Sequence, residues 1–207
     1  MKALEEVMDE WGWEGVSIRR ISEKAGVSKV LIYRYFGGLE GLMVDYVKKG
    51  TLFPVVTSEV LDQLTALHQS DLAPVWYRHI IRTYRSFRLF KAGRALLKAT
   101  LLENDLLGDA ISVAMDEEMT RLVDHLSLVP RSDSQAVAAV ILGGMSYLTI
   151  MAHNNHPVVG LDLRSQEDWK RIEEAIKLLS VALNDLVVAS AVVTVPAQSA
   201  NLPNPWL

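Results

Sequence analysis

Residues 17–42 read SIRRISEKAGVSKVLIYRYFGGLEGL, a pattern that describes a short helix, a tight turn, a second short helix and the start of a third. Ser17 is a favourable N-cap, because its hydroxyl can accept from an amide of the first turn. Ile18, Ile21 and Ala25 follow at spacings of three and four, so one apolar stripe is expected to face inward while Arg19, Arg20, Glu23 and Lys24 face out. Gly26 sits where the chain must turn, since a residue without Cβ takes the positive φ that closes a helix, and Val27 is expected to return to the core. Ser28 is the expected cap of the next helix, in which Ile32 and Phe36 form an i, i+4 core pair. Lys29, Val30, Tyr33 and Arg34 are left on the opposite face. A solvated face more commonly carries Glu, Lys and Gln. A helix that reads a major groove needs cations for guanine and phosphate and apolar groups for the thymine methyl.

The run AGVSKVLIYRYF, residues 25–36, with Ser17 opening the preceding helix and Glu40 and Leu42 in the following one, resembles the helix-turn-helix signature of TetR-family transcriptional regulators. The resemblance implies an all-α fold with three parts. They are a three-to-four-helix DNA-binding domain at 1–52, a larger helical effector-binding and dimerisation domain at 53–195, and a flexible tail at 196–207. It implies that residues 28–36 lie in a major groove of double-stranded DNA, with Ser17, Arg19, Ser28, Lys29, Val30, Leu31, Tyr33, Arg34 and Tyr35 as the DNA-binding residues. Val30 and Leu31 stand where the family often has Gly and a small polar residue, which predicts more apolar contact with bases. Leu39 stands where the family commonly has Lys, so that phosphate contact is not carried over. The basic arm that usually precedes the first helix has almost no counterpart here; either it is absent or it lies upstream.

Composition fits this reading. A chain of 207 residues can hold one sizeable core, or a small domain and a larger one. With no Cys there is neither a disulfide framework nor a thiolate metal site, and MKALEEVMDEW is an acidic amphipathic start unlike a secretory signal, so a cytoplasmic location is expected. The net charge of −4 is unevenly spread: Ser17 to Lys49 holds seven cations against three acids, and residues 51–207 hold 13 cations against 17 acids. Such a field orients the chain on a polyanion by one end.

In chain order, Leu4, Val7, Met8 and Trp11 predict a first helix broken by Gly12 and Gly15. A fourth helix is expected at 39–52 with Leu42, Met43, Tyr46 and Val47 inward. Pro54 marks the expected boundary, followed by helices near 57–69, 74–90, 91–106, 109–128, 132–154 and 165–193. Turn signals lie at Asp71 with Pro74, Asn104 with Gly108, Pro130 and the HNNHP run at 153–157. Two apolar stretches, 136–152 and 178–195, are short or interrupted for a bilayer span, and burial between helices accounts for both, so no membrane association is expected. Ala136, Ala139, Gly143 and Ser146 would let another backbone approach. The resemblance makes 132–152 and 168–192 the candidate homodimer interface.

Trp76, His79, Tyr84, Phe87, Met115, Met119, Tyr147 and Met151 are candidate ligand-binding residues for a small apolar or aromatic effector, with Asn104 or His153 as further polar groups. For any one of them ordinary core packing is the favoured reading, since aromatics and Met on amphipathic helices normally just pack. A cationic row, Arg78, Arg82, Arg85, Arg88, Lys91, Arg94 and Lys98, is expected to be a solvated face paired with the acids of 103–118, or else an anion site. Asp116, Glu117 and Glu118 read as a solvated acidic edge. His153 and His156 form an HxxH without an evident third ligand, so no metal and no cofactor are expected. No nucleophile with a base, phosphate-cradling glycine loop or paired carboxylates points to catalysis. The chain reads as a sequence-specific, ligand-responsive repressor binding a palindromic operator as a dimer, and not as an enzyme. The alternatives are a helical small-molecule binder or enzyme without DNA binding, and a membrane-associated helical protein.

Overall fold

The computed structural model describes residues 1–49, 69–102, 105–126 and 133–192. The expected helix at 57–69, the turns at Asn104 and Pro130, the boundary at Pro54 and the tail at 196–207 lie wholly or mainly outside the described residues. The described residues are almost all helical: α1 Lys2–Trp11, α2 Ile18–Ala25, α3 Lys29–Phe36, α4 Leu39–Lys48, α5 Gln69–Leu89, α6 Lys91–Leu102, α7 Leu106–Leu126, α8 Ser134–His153 and α9 Gln166–Val192. A single 3-10 turn, Trp13–Gly15, joins α1 to α2, and one isolated antiparallel bridge, Val158 to Leu161, follows α8.

Helices α1 to α4 form one group because their apolar stripes converge. Leu4, Val7 and Met8 of α1, Ile21 of α2, Ile32 of α3 and Leu42, Met43, Tyr46 and Val47 of α4 are all buried. Trp11 departs from the expected stripe: it is largely exposed, with the Arg20 guanidinium and the Lys24 ammonium each 5.4 Å from its ring. Ala25 and Val27, expected inward, are exposed as well, and Ser22 is buried beside Ile21, its hydroxyl donating to the Arg19 carbonyl at 2.8 Å. Ile18 packs half-buried against the core, so the first two turns of α2 meet it and the last turn does not.

The remaining helices pack around α5, which lies against α6, α8 and α9, while α7 lies against α4, α6 and α8. Their core, including Trp76, Ile80, Tyr84, Phe87, Leu96, Ile111, Leu122, Met145, Trp169 and Ile172, is continuous with that of α1 to α4. Pro74, expected to mark a turn, lies inside α5. Proline already holds a helical φ and costs the helix one amide, which a 21-residue helix anchored by Trp76 and Ile80 tolerates. Glu118, expected on a solvated edge, is 3 % exposed and pairs with Arg121 at 3.3 Å.

Candidate nucleic-acid interface

The helix-turn-helix is built by local rules. Ser17 is extended and its Oγ accepts from the Arg20 amide at 3.4 Å. Gly26 takes φ 66°, and the amides of Gly26 and Val27 close α2 by donating to the carbonyls of Glu23 and Ser22 at 3.3 and 3.0 Å. Ser28 precedes α3 without a side-chain cap bond, contrary to expectation; the Leu31 amide that the hydroxyl would take donates instead to the Ser28 carbonyl at 3.1 Å. Ile32 anchors α3 in the core and Phe36 packs half-buried against it. Gly37 ends the helix at φ 76°.

With one anchor inward, α3 offers the rest of its surface to solvent. Ser28, Lys29, Val30, Leu31, Tyr33, Arg34 and Tyr35 are exposed, Val30 at 72 % and Tyr35 at 71 %. So many apolar and aromatic groups on one outer face are costly to hydrate unless something covers them.

Ion pairing narrows the basic patch. Arg19 pairs with Glu23 at 2.9 Å, Lys24 with Glu10 at 2.7 Å, Lys49 with Asp45 at 2.7 Å and Lys48 with Glu117 at 3.3 Å. Hydrogen bonding to the Glu10 carboxylate holds Lys24 above the usual lysine range. Arg20 donates to the Gly15 carbonyl at 3.0 Å. Among the described residues Lys29 and Arg34 have no ion pair, and both lie on α3. Of the nine candidate DNA-binding residues, seven thus share the exposed surface of α3 and its cap. Arg19 is exposed but paired, and Ser17 is half-buried at the start of α2.

The eight candidate ligand residues do not gather at one place. Tyr84, Phe87, Met115 and Met119 line a cavity of about 180 Å³ between α5, α6, α7 and α8. Its polar fittings include the Tyr84 hydroxyl, 2.8 Å from both the Leu142 carbonyl and Ser146 Oγ, and the Thr83 Oγ1, buried with no partner among the described residues, with Thr100, Ser112 and Asp116 also on the wall. Burial pushes the Tyr84 phenol up to about 12, offset in part by the Ser146 bond. Trp76 and His79 lie elsewhere on α5, Met151 is half-buried, and Tyr147 is exposed. Burial, followed by the charge of Arg82, lowers His79 to about 4, so it is neutral in the fold. The spacing placed these residues on helices; the direction of each helix face was not in it.

The cationic row also divides. Arg78, Arg82 and Arg85 border a cleft of about 580 Å³ with Glu173, Glu174 and Lys177 of α9. Arg85 pairs there with Glu173 and Arg88 lies 4.5 Å over the Trp169 ring, so these cations meet α9 and not the acids of 103–118. His153 Nε2 contacts the Phe87 carbonyl at 3.1 Å, whereas His156 is exposed beyond the end of α8. No group of three or more metal-ligating side chains is present among the described residues. Two contacts had no sequence signal because they join residues far apart: Asp9 Oδ1 accepts from the Ala92 amide at 3.1 Å, and Trp13 Nε1 donates to Asp105 at 3.5 Å.

Residues 1–46 match the family model described as bacterial regulatory proteins, tetR family. No curated protein matches the sequence significantly. Among solved structures, the fatty acid degradation regulator FadR from Bacillus halodurans superposes with a TM-score of 0.57 at 17 % identity, over 87 % of this chain and 95 % of that one. PfmR, a TetR family transcriptional regulator from Thermus thermophilus, gives a TM-score of 0.41 at 15 % identity, over 91 % and 98 %. Residues 1–46, which span α1 to α3 and most of α4, are thus similar to the DNA-binding domain of tetR-family bacterial regulatory proteins.

Proposed function

We propose that this protein is a homodimeric transcriptional repressor that binds a near-palindromic operator and releases it when a small apolar or aromatic effector occupies the second group of helices. The observation that carries the reading is α3, whose Lys29 and Arg34 have no ion pair among the described residues and whose Val30, Leu31, Tyr33 and Tyr35 are exposed. Lys29 and Arg34 supply phosphate or guanine contacts, and Val30 and Leu31 favour a thymine methyl. Ser17 and the amides at the start of α2 hold a backbone phosphate.

Dimerisation is supported by α8. Its packed side meets α5, α6 and α7, while Ala136, Ala139, Val140, Gly143, Gly144 and Tyr147 form an exposed stripe, with Val140 at 76 %. A Cβ added at Gly143 or Gly144 would meet nothing within 4 Å, so a second backbone has room to approach. On α9, Leu178 at 67 %, Leu179 and Val181 are exposed too. Two copies joined on these faces present two α3 helices about one turn of DNA apart, ~34–36 Å, or a multiple of it. The cavity bordered by Tyr84, Phe87, Met115 and Met119 supports an effector site, with Thr83 Oγ1 available to orient the ligand. At 17 % identity the likeness to FadR carries the fold and not that protein's physiology. We place the domains at 1–52 and 53–195, with a tail at 196–207, in the cytoplasm.

Helix α8 is also, among the described residues, the helix long and apolar enough to cross a membrane. Its packing on one side among the described residues, with the Leu142 carbonyl and Ser146 held by Tyr84, favours a protein partner on the other side. The deciding experiment is selection of bound sites from a random duplex library by purified protein at moderate salt, with stoichiometry read by light scattering. Enrichment of a two-fold palindrome by dimers is the expected result. Failure to enrich any sequence would remove the regulator reading, and partition into membrane pellets would replace the dimer face by a lipid-facing one.

A further inference from the structure

We propose that the cleft between α1 and α6 is a binding site for a small organic anion, a carboxylate on an apolar body, and that the anion competes with Asp9 for the start of α6. The cleft measures about 410 Å³, within the range of small-molecule sites, ~300–1,000 Å³. Lys91, Arg94 and Lys98 stand along one side of α6 and border it together with His153 at the end of α8. Met8, Ala95, Leu102 and Ile150 supply its apolar walls. Lys91 and Arg94 pair with no carboxylate among the described residues, in contrast to Arg85 in the neighbouring cleft, which Glu173 neutralises.

The acid that faces these cations, Asp9, is already engaged. Its Oδ1 accepts from the Ala92 amide at 3.1 Å, and its backbone carbonyl accepts from Lys91 Nζ at 3.4 Å. Asp9 belongs to α1, so this pair of bonds ties the DNA-binding domain to α6. An incoming carboxylate takes Lys91 and Arg94, repels the Asp9 carboxylate and loosens the tie, which alters how α1 to α4 are held. His153 reports the event: burial lowers its pKa below the ordinary value, and the positive charge of Arg94 at the cleft lowers it further. Occupancy of this cleft is independent of the DNA-binding reading; its effect on DNA affinity rests on it.

The test uses the full chain and two probes of nearly equal shape, cyclohexanecarboxylate and uncharged cyclohexylmethanol, followed by calorimetry and by the His153 imidazole resonances. The expected result is that the carboxylate binds and the alcohol does not, with His153 titrating at higher pH in the complex. Arg94→Gln, at an exposed site where folding is unaffected, weakens carboxylate binding about tenfold or more. Asp9→Asn keeps an acceptor for Ala92 but removes the like charge, and strengthens it. Equal binding of the alcohol, no response to Arg94→Gln, weaker binding in Asp9→Asn, or no binding at all overturns the site. If the carboxylate binds as expected and the affinity for selected duplex is unchanged, the competition with Asp9 as a control on DNA binding is overturned and the site stands. If no duplex is selected, calorimetry still decides the site.

Discussion

At the scale of single residues, what matters is whether a charge is already spent inside the protein. Arg34 and Arg19 both lie on the basic end, yet Arg19 is held by Glu23 at 2.9 Å and Arg34 has no ion pair among the described residues. Arg34→Ala is therefore expected to cost ~1–3 kcal/mol of binding to the selected duplex, and Arg19→Ala much less. A binding titration across operator variants separates the roles: relaxed specificity at one position means a base contact, and a uniform loss with a smaller salt slope means a phosphate contact. His79 gives a second residue-scale expectation. Its folded pKa of about 4 lies below the 6.5 of the unfolded chain, so between those values the unfolded state binds the extra proton and stability falls as pH falls. The full effect is about 3 kcal/mol, reached below pH 4. Urea midpoints measured from pH 7 to pH 4 should show this slope, flattened in His79→Gln. The Ser17 cap was legible because the rule behind it is local, spanning three residues. The missing cap bond of Ser28 was not, because a competing carbonyl takes the same amide.

Helices as units were legible wherever apolar periodicity ran for three turns. Helices α4 and α6 to α9 begin and end within a few residues of the expected bounds, because their stripes and turn residues agree. Faces were less legible, since a stripe says that a helix is buried and not against what. The pairing of Lys48 on α4 with Glu117 on α7, and of Arg85 on α5 with Glu173 on α9, depends on crossings that periodicity does not carry. One crossing is held by a single small residue. A Cβ at Gly41 would lie 1.8 Å from the Phe36 carbonyl oxygen, so the start of α4 meets the end of α3 without room for a methyl group. Helix propensity alone predicts that Gly41→Ala stabilises the chain by up to ~1 kcal/mol. The close approach predicts the opposite, a loss of ~1–3 kcal/mol and weaker DNA binding because α3 must shift. Chemical denaturation followed by tryptophan fluorescence, beside a duplex titration, distinguishes the two signs.

Across the whole molecule, α8 is where sequence pattern and packing diverge most. Its small residues predict a place where a backbone can come close, with burial between helices as the expected reason. Among the described residues only one side of the helix is covered, because α5, α6 and α7 all lie there and α9 packs on α5 instead. A single sequence shows the apolar stripe but not that the described helices leave one side of it open. That shortfall generates a prediction about assembly. Gly143→Arg places a long cation where a Cβ meets nothing within 4 Å, so the fold of one copy has no reason to change and its helical circular dichroism should be preserved. Between two copies the same side chain wedges the faces apart and buries two like charges near the axis. The variant is expected to be monomeric by light scattering. Each monomer still carries an intact α3, so binding to half-sites should survive while the linkage between them is lost. Affinity for the palindrome should then fall ~100-fold or more, with no change in which bases are preferred within a half-site. A monomer that kept full affinity would show that the two half-sites are not read by one dimer. A variant that stayed dimeric would move the interface away from α8, to the exposed Leu178, Leu179 and Val181 of α9.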